Sequence, residues 1–210
     1  GEYTVEEEPV NAPNVAEAPD LERPFVVPAS FPAPNKTNLE ERHLELTAAL
    51  KKDPQRYDLW ASMALYRKTI DDFEGAREIW EFIVGVNSRD VSILANLGNL
   101  YHLYLKQYAK SETYYRQAIA IDPKDSSLYR SLYDLYRYSY KQNTNAAPDI
   151  LKEGLEKNPD NLDLLMLLGA WYQEKNDRDQ AKLYFEQAIV QAEAKSQTAL
   201  AAEIKAIVAS

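Results

Sequence analysis

The sequence contains no cysteine and only two histidines among its 210 residues. Without cysteine there can be no disulfide, no thiolate nucleophile and no sulfur-ligated metal. His43 and His102 lie far apart, and neither belongs to an HExxH motif or another metal-ligand spacing. Nucleophile-elbow, phosphate-loop and dinucleotide-binding fingerprints are also missing from the sequence. We therefore expect no catalytic residues, no metal and no cofactor, and the chain is predicted not to be an enzyme.

Long apolar runs and a basic surface pattern are missing as well. No stretch approaches the roughly 18 apolar residues of a membrane-spanning helix, so the sequence predicts no membrane span. The net charge is −9 at pH 7, whereas nucleic-acid binding generally needs a lysine- and arginine-rich stripe. These absences argue against nucleic acid and leave a protein or a peptide as the expected partner.

What the chain does have is a pattern that recurs every 34 to 36 residues. A small residue that would open a second helix appears four times, and a residue that would end a helix, usually proline, recurs with nearly the same spacing. The first set is Ala76, Ser111, Ala147 and Ala181, and the second set is Pro54, Ser88, Pro123 and Pro159. A period of this length indicates helical hairpins, each of which buries its apolar face only by stacking on the next.

The copy from Leu162 to Ala192 closely resembles a tetratricopeptide repeat. The residues that follow the W-x2-L-G-x2-Y and A-x3-F patterns of that family are Leu165, Leu168, Gly169, Tyr172, Ala181, Phe185 and Ala188. The resemblance implies repeats at 57–90, 91–125, 126–161 and 162–195, of which the fourth and the second are the most faithful. It predicts an all-α chain, a right-handed α-solenoid of helix-turn-helix repeats with capping helices.

Small residues are expected wherever two helix backbones approach each other closely. Gly98 and Gly169 occupy such positions, since a larger side chain would push the two helices apart. In the third copy Tyr133 takes the glycine position, and Gly154 supplies the small residue on the partner helix. The first copy departs in another way, because Arg67 stands where the family has a tyrosine.

Residues 1–36 differ in composition from the rest of the chain, since they hold seven of the eleven prolines and show no helical periodicity. We interpret them as an acidic, proline-rich extended tail or linker. Phe25, Val26, Val27 and Phe31 interrupt the prolines. We hypothesise that this apolar part docks on the helices or on a neighbouring copy, and a flexible linker is the alternative.

The repeat domain is predicted to span residues 37–210 and to be closed by a helix at each end. An amphipathic pattern over residues 38–53 indicates a half-repeat helix before the first full copy. A C-terminal capping helix is expected at 197–209. Because neither glycine nor proline interrupts residues 187–196, the sequence leaves open whether this helix is separate from the preceding one.

The chain begins at Gly1 rather than at methionine. One interpretation is that a signal or a membrane anchor preceded this residue, with the tail as a spacer, which would make the protein membrane-anchored or exported. A cloning scar is the other interpretation.

The family resemblance also carries an expectation about function. In tetratricopeptide proteins the first helix of each hairpin lines a concave surface that holds an extended or helical peptide. The chain is accordingly expected to be a non-catalytic protein–protein interaction scaffold that binds its partner on this surface. The ligand-binding residues implied by the resemblance are Asn96, Asn99, His102, Leu103, Arg130, Asp134, Arg137, Tyr138 and Met166.

Two interpretations of the polar part of this surface stay open. Asn99, Arg130 and Arg137 would form a cluster able to hold a carboxylate or backbone carbonyls. Alternatively, the two arginines form an internal network with Asp134 and the exposed asparagines. The family's clamp for the C-terminal carboxylate of heat-shock chaperones is incomplete, because its basic and asparagine positions are occupied by Ala61, Leu65, Ala95, Asp163 and Leu167.

A second function is considered beside the scaffold. The chain contains fifteen tyrosines, more than the packing positions require, and exposed aromatic side chains often mark an interface. The alternative hypothesis is therefore a self-associating structural module, a homo-oligomer joined through the N-terminal tail or the tyrosine-rich surface.

Overall fold

The computed structural model describes residues 18–142 and 144–209. Within these ranges the chain forms ten α-helices and no β-strand. The helices are α1 (Ala33–Lys52), α2 (Tyr57–Thr69), α3 (Phe73–Val86), α4 (Val91–Leu103), α5 (Tyr108–Ile121), α6 (Ser126–Tyr138), α7 (Ala146–Lys157), α8 (Leu162–Glu174), α9 (Arg178–Ala194) and α10 (Thr198–Ala209). The chain divides into two compact units, here called unit 1 and unit 2, and the boundary lies between Ile93 and Leu94.

The order of the helices follows the repeat pattern. Helices α2, α4, α6 and α8 begin at Tyr57, Val91, Ser126 and Leu162, which are the first residues of the four predicted copies. Helix α10 begins at Thr198, one residue after the predicted start of the capping helix. In the part of the chain that the structure describes, no helix is long and apolar enough to span a membrane. The predicted all-α fold class is confirmed.

Several turns between helices contain a non-glycine residue in the left-handed backbone region. After Asp71, the amide of Asp72 donates to the Arg67 carbonyl at 2.9 Å and closes the end of α2. After Ser196, the amide of Gln197 donates in the same way to Ala192, at 2.8 Å. Helices α9 and α10 are therefore separate, which answers the question that the sequence left open.

Helix α1 of unit 1 begins earlier than expected. The sequence pattern predicts a start at residue 38, whereas the helix starts at Ala33. Pro34 lies in the first turn, where its missing N–H costs no helical hydrogen bond. Thr37 Oγ1 donates to the Ala33 carbonyl at 3.2 Å and adds a contact within this first turn. The predicted tail therefore ends at Pro32 rather than at residue 36.

Residues 18–32, here termed the strap, contain no helix or strand and contact the helices of unit 1. Turns at residues 21–23 and 29–31 flank the stretch 24–28. Burial alternates along the strap: Arg23 and Phe25 are half-buried, Val27 is 4% exposed, and the residues between them are exposed. Such alternation is typical of an extended backbone with one packed face. The hypothesis that the apolar part of the tail docks on the helices is confirmed for this stretch. Residues 1–17 of the predicted tail lie outside the described residues.

Arg67 anchors the strap through main-chain carbonyls. Its side chain is 2% exposed, and its Nη1 pairs with Asp72 at 2.8 Å. Its guanidinium also donates to the carbonyl oxygens of Arg23, at 3.0 Å, and Pro24, at 3.3 Å. The Arg23 guanidinium in turn makes a bidentate pair with Asp72, at 2.8 and 2.9 Å, which is a strong form of carboxylate recognition. These contacts explain why Arg67 departs from the family's tyrosine.

Phe25 covers a buried histidine of α1. The rings of Phe25 and His43 are stacked with their centroids 4.0 Å apart and their planes inclined by 15°. Within the described part of unit 1, His43 Nε2 is buried and has no hydrogen-bond partner. Burial lowers the pKa of His43, and the positive charge of Arg67 lowers it further. The neutral imidazole is therefore the form that lies beneath Phe25.

In unit 2, glycines allow aromatic rings to lie against helix backbones. A Cβ added at Gly98 would lie 2.7 Å from the ring of Tyr115, and one added at Gly169 would lie 2.7 Å from the ring of Phe185. At Gly154 the nearest side-chain atom would be 2.8 Å away. The close helix approach expected in the second and fourth copies is thereby confirmed. In the third copy the groups nearest to a Cβ added at Gly154 are Leu164 of α8 and the Tyr129 ring, at 2.9 Å, rather than Tyr133.

We expect Arg23→Ala to release the strap. The substitution removes the bidentate ion pair between Arg23 and Asp72. Because this pair is part-exposed, it contributes about 1 kcal/mol to the docking of the strap. The population of the released strap should therefore rise about fivefold. Chymotrypsin should then cleave after Phe25 correspondingly faster. Glu22→Ala is the matched control, because Glu22 pairs with Lys51 at the exposed surface. Equal cleavage rates for wild type and Arg23→Ala would contradict this account of the strap.

A second prediction concerns the close contact between α8 and α9. Gly169→Ala places a methyl group against the Phe185 ring and should lower the free energy of unfolding by about 1–3 kcal/mol. Gly85→Ala is the control, because Gly85 is exposed in α3 and alanine there should leave stability equal or raise it by up to about 1 kcal/mol. Denaturant titration measures both changes. An unchanged stability for Gly169→Ala would show that the two helices can separate without cost.

Candidate functional site

All the residues predicted for ligand binding belong to unit 2, on helices α4, α6 and α8. Three of their side chains are exposed: Leu103, Arg130 and Tyr138. Five are half-buried: Asn96, Asn99, Asp134, Arg137 and Met166. We refer to these eight side chains together as the candidate face. The remaining predicted residue, His102, is placed differently.

His102 is not the surface group that the sequence analysis expects. Its side chain is 7% exposed, and its Nε2 is hydrogen-bonded with Ser139 Oγ at 2.9 Å. Burial, followed by the charge of Lys106, lowers the pKa of His102, so a neutral ring links α4 to the residue that follows α6. Met166 is also only partly available at the surface, because its side chain packs against the hydrophobic cluster that contains Phe185.

Tyr115 brings a hydroxyl to the candidate face from the second helix of its hairpin. Its ring lies close to Gly98, and Ser111 Oγ, one turn earlier in α5, donates to the Gly98 carbonyl at 2.7 Å. The Tyr115 hydroxyl is hydrogen-bonded with Ser131 and Asn99, and burial raises the pKa of Tyr115 to about 12. Tyr115 is not among the residues predicted from the sequence for this face. The glycine opposite its ring is the sequence signal that could have indicated it.

Both arginines of the candidate face are paired with carboxylates of α8. Arg130 Nη1 contacts Asp163 at 3.0 Å, and the Arg137 guanidinium donates to Glu174. These pairs join α6 to α8 within unit 2. Internal pairing of the arginines, one of the two interpretations of the sequence, is therefore present, but its partners are Asp163 and Glu174 rather than Asp134.

Asp134 lies on α6 between the two arginines and is half-buried. Among residues 18–142 and 144–209 it forms no ion pair, because each arginine is taken by a carboxylate of α8. Burial raises the pKa of Asp134, and nearby Asp163 adds to the rise, while Arg130 and Arg137 offset it only in part. The face therefore retains one partly desolvated negative charge.

Leu103 and Tyr138 supply apolar surface on the candidate face. Leu103 is 44% exposed and Tyr138 is 62% exposed. The Arg137 guanidinium carbon lies 5.2 Å from the centroid of the Tyr138 ring, within the range of a cation–π contact. The aromatic surface is thus held next to a charged pair, an arrangement that is common at protein interfaces.

The chemistry available at this face is that of recognition. It offers amide and hydroxyl hydrogen-bonding groups, two ion pairs, one carboxylate without an ion-pair partner and an apolar surface. Among the residues that the structure describes, no three or more histidine, aspartate or glutamate side chains are grouped so that they could hold a metal ion.

A tetratricopeptide repeat family profile matches residues 91–125 and 162–189. These segments fall within the second and fourth predicted copies, the two that the sequence analysis ranks as most faithful. The resemblance to this family is confirmed. No curated protein sequence matches the chain.

Solved structures with a similar fold are tetratricopeptide proteins. The MamA crystal structure is 17% identical with a TM-score of 0.61, and the match covers 82% of this chain and 99% of MamA. PilF from Pseudomonas aeruginosa is 18% identical with a TM-score of 0.58, covering 81% of this chain and 82% of PilF. YrrB, described as a TPR protein with an unusual peptide-binding site, is 16% identical with a TM-score of 0.52. This match covers 76% of this chain and 88% of the YrrB chain. These similarities show the α-solenoid fold class.

We expect Asp134→Asn to stabilise the protein at neutral pH, because the substitution removes a partly desolvated charge. The raised pKa means that the folded state binds a proton more tightly than the unfolded state. The cost of the ionised group is therefore present above the folded pKa and disappears as the pH falls through it. After allowance for solvent screening the gain at pH 7 is below about 1 kcal/mol.

Thermal unfolding at pH 7 and at about pH 4, near the ordinary aspartate pKa, measures this difference. Glu156→Gln is the charge-matched control, since Glu156 is an exposed carboxylate of α7 and its neutralisation should change the stability little at either pH. A lower unfolding temperature for Asp134→Asn at pH 7 would contradict the prediction.

Proposed function

We propose that this tetratricopeptide-repeat protein is a non-catalytic scaffold whose candidate face binds a peptide segment of a partner protein. The observation that carries the proposal is the exposed apolar pair Leu103 and Tyr138 beside the hydrogen-bonding groups of the same face. An apolar anchor surrounded by polar groups is common in peptide recognition. YrrB, whose fold is similar, is described as having a peptide-binding site, and this supports a peptide as the class of ligand.

The ion pairs of the face allow a ligand to enter at low cost. Arg130 and Asp163 are each about half exposed, and an exposed ion pair of this kind contributes at most about 1 kcal/mol. Arg137 is more buried than its partner Glu174, so Glu174 can turn towards solvent while Arg137 stays in place. A bound chain could therefore replace either carboxylate without disturbing the helices.

Buried polar contacts beneath the face support its preorganisation. The contact between His102 and Ser139 and the hydrogen bonds of the Tyr115 hydroxyl both join α4 or α5 to the region of α6. Side chains that are already fixed lose less conformational entropy when a ligand binds. The face is thus suited to bind a segment without first being ordered by it.

Self-association, the alternative hypothesis, predicts a different behaviour in solution. Residues 18–32 of the tail are docked within their own unit. Among the described residues, the tyrosine-rich surface is therefore the part that would join copies. Light scattering over a concentration series separates the two hypotheses. A scaffold for peptide segments should remain monomeric, whereas a self-associating module should increase in mass.

We expect Leu103→Glu combined with Tyr138→Glu to reduce partner capture from a native extract by about tenfold or more, since central interface anchors contribute about 2 kcal/mol or more. Both side chains are exposed, so the fold should be retained, as circular dichroism can verify. The control is Leu183→Glu with Val190→Glu, an equal change at exposed apolar residues of α9. Quantitative mass spectrometry compares the captured proteins. Identical capture by wild type and the first variant would refute the proposed face.

A further inference from the structure

The charges of the candidate face do not balance. Arg130 is paired with Asp163, and Arg137 is paired with Glu174. Asp134, which lies between the two arginines on α6, is left as the additional carboxylate. When the two carboxylates of α8 that pair with the arginines of the face are included, these five charged side chains sum to one net negative charge, and the carboxylate without an ion-pair partner is the half-buried Asp134.

We propose that the segment bound by the candidate face presents a lysine or arginine side chain to Asp134, next to an apolar side chain that contacts Tyr138 and Leu103. This inference rests on the proposed function of the face and adds the chemistry of the ligand. It differs from the expectation drawn from the sequence, in which the arginines would receive a carboxylate or backbone carbonyls.

The surroundings of Asp134 favour a cation over a neutral ligand. Asp134 is close enough to Tyr115 and Tyr133 for its charge to help raise the pKa of both phenols, after the larger effect of their burial. A carboxylate in such surroundings interacts with an incoming positive charge more strongly than a fully exposed one does. A neutral ligand that covered Asp134 would remove more of its water and give it no partner, which is costly.

The same surroundings disfavour an acidic ligand. A carboxylate entering the face would meet the negative charges of Asp134, Asp163 and Glu174. The two ion pairs are weak enough to be replaced, but the charge of Asp134 would still repel the ligand. The net charge of the whole chain, −9 at pH 7, adds a long-range attraction for a basic partner and a repulsion for an acidic one. Both the local pairing and the overall charge therefore select a basic segment.

The position of the apolar contact sets the pattern of the ligand. Tyr138 lies four residues after Asp134 on α6, so the two side chains lie on the same side of the helix, about 6 Å apart between their Cβ atoms. A basic and an apolar residue that are neighbours on one side of the ligand match this spacing. In a helical segment they would be three or four residues apart, and in an extended segment two residues apart.

Selection from a random library of twelve-residue peptides displayed on phage tests the inference without knowledge of the natural partner. The library is selected against the wild-type chain, Asp134→Asn, Glu156→Gln and the double variant Leu103→Glu with Tyr138→Glu. Glu156 is an exposed carboxylate of α7 and serves as the charge-matched control. Melting curves confirm that each variant is folded before selection.

We expect wild type and Glu156→Gln to enrich peptides in which lysine or arginine neighbours an apolar residue, and Asp134→Asn to lose that preference. A synthetic peptide from the wild-type selection, measured by fluorescence anisotropy, should bind Asp134→Asn about tenfold more weakly. Its lysine-to-norleucine analogue should lose the preference for wild type and bind Asp134→Asn at least as tightly, because a neutral side chain leaves the wild-type carboxylate without a partner. Enrichment of acidic or uncharged peptides would overturn the inference and leave the proposed function intact. Enrichment no greater than on the Leu103→Glu and Tyr138→Glu variant would refute the proposed function as well.

Discussion

Aromatic rings that lie directly on glycine backbones are the contacts on which unit 2 depends. Tyr115 on Gly98 and Phe185 on Gly169 set the distance at which paired helices pack, because no side chain intervenes between ring and backbone. The same approach brings the Tyr115 hydroxyl to Asn99 on the candidate face. One contact therefore both stabilises the hairpin and positions a polar group for recognition.

The helices could be predicted from the sequence because one pattern recurs four times and each copy supports the others. Local exceptions were harder to predict. The amphipathic pattern begins only at residue 38, whereas α1 begins at Ala33 with Pro34 in the first turn, where proline is tolerated. The separation of α9 from α10 depends on Ser196 in a left-handed conformation, and a serine gives no signal of the kind that glycine gives at such a position.

The candidate face was predictable only in outline. Helical periodicity assigns residues to one side of a helix, but the partner of each side chain depends on the neighbouring helix. Arg130 illustrates this limit, because Asp134 is its neighbour along the sequence whereas Asp163 is its partner in the structure. His102 shows the reverse error: a polar residue was assigned to the surface, yet it lies buried against Ser139.

The way in which Arg67 contacts the strap has an evolutionary consequence. Arg67 donates to main-chain oxygens of Arg23 and Pro24, and any amino acid would present such oxygens. Outward side chains such as Val26 take no part in this contact and are free to drift. Arg23, Arg67 and Asp72, by contrast, form one charge-coupled cluster. Loss of Asp72 would leave the buried Arg67 without its ion-pair partner, and loss of either arginine would leave Asp72 with one arginine instead of two. Selection therefore acts on these three residues as a unit, within an N-terminal segment whose other positions can diverge.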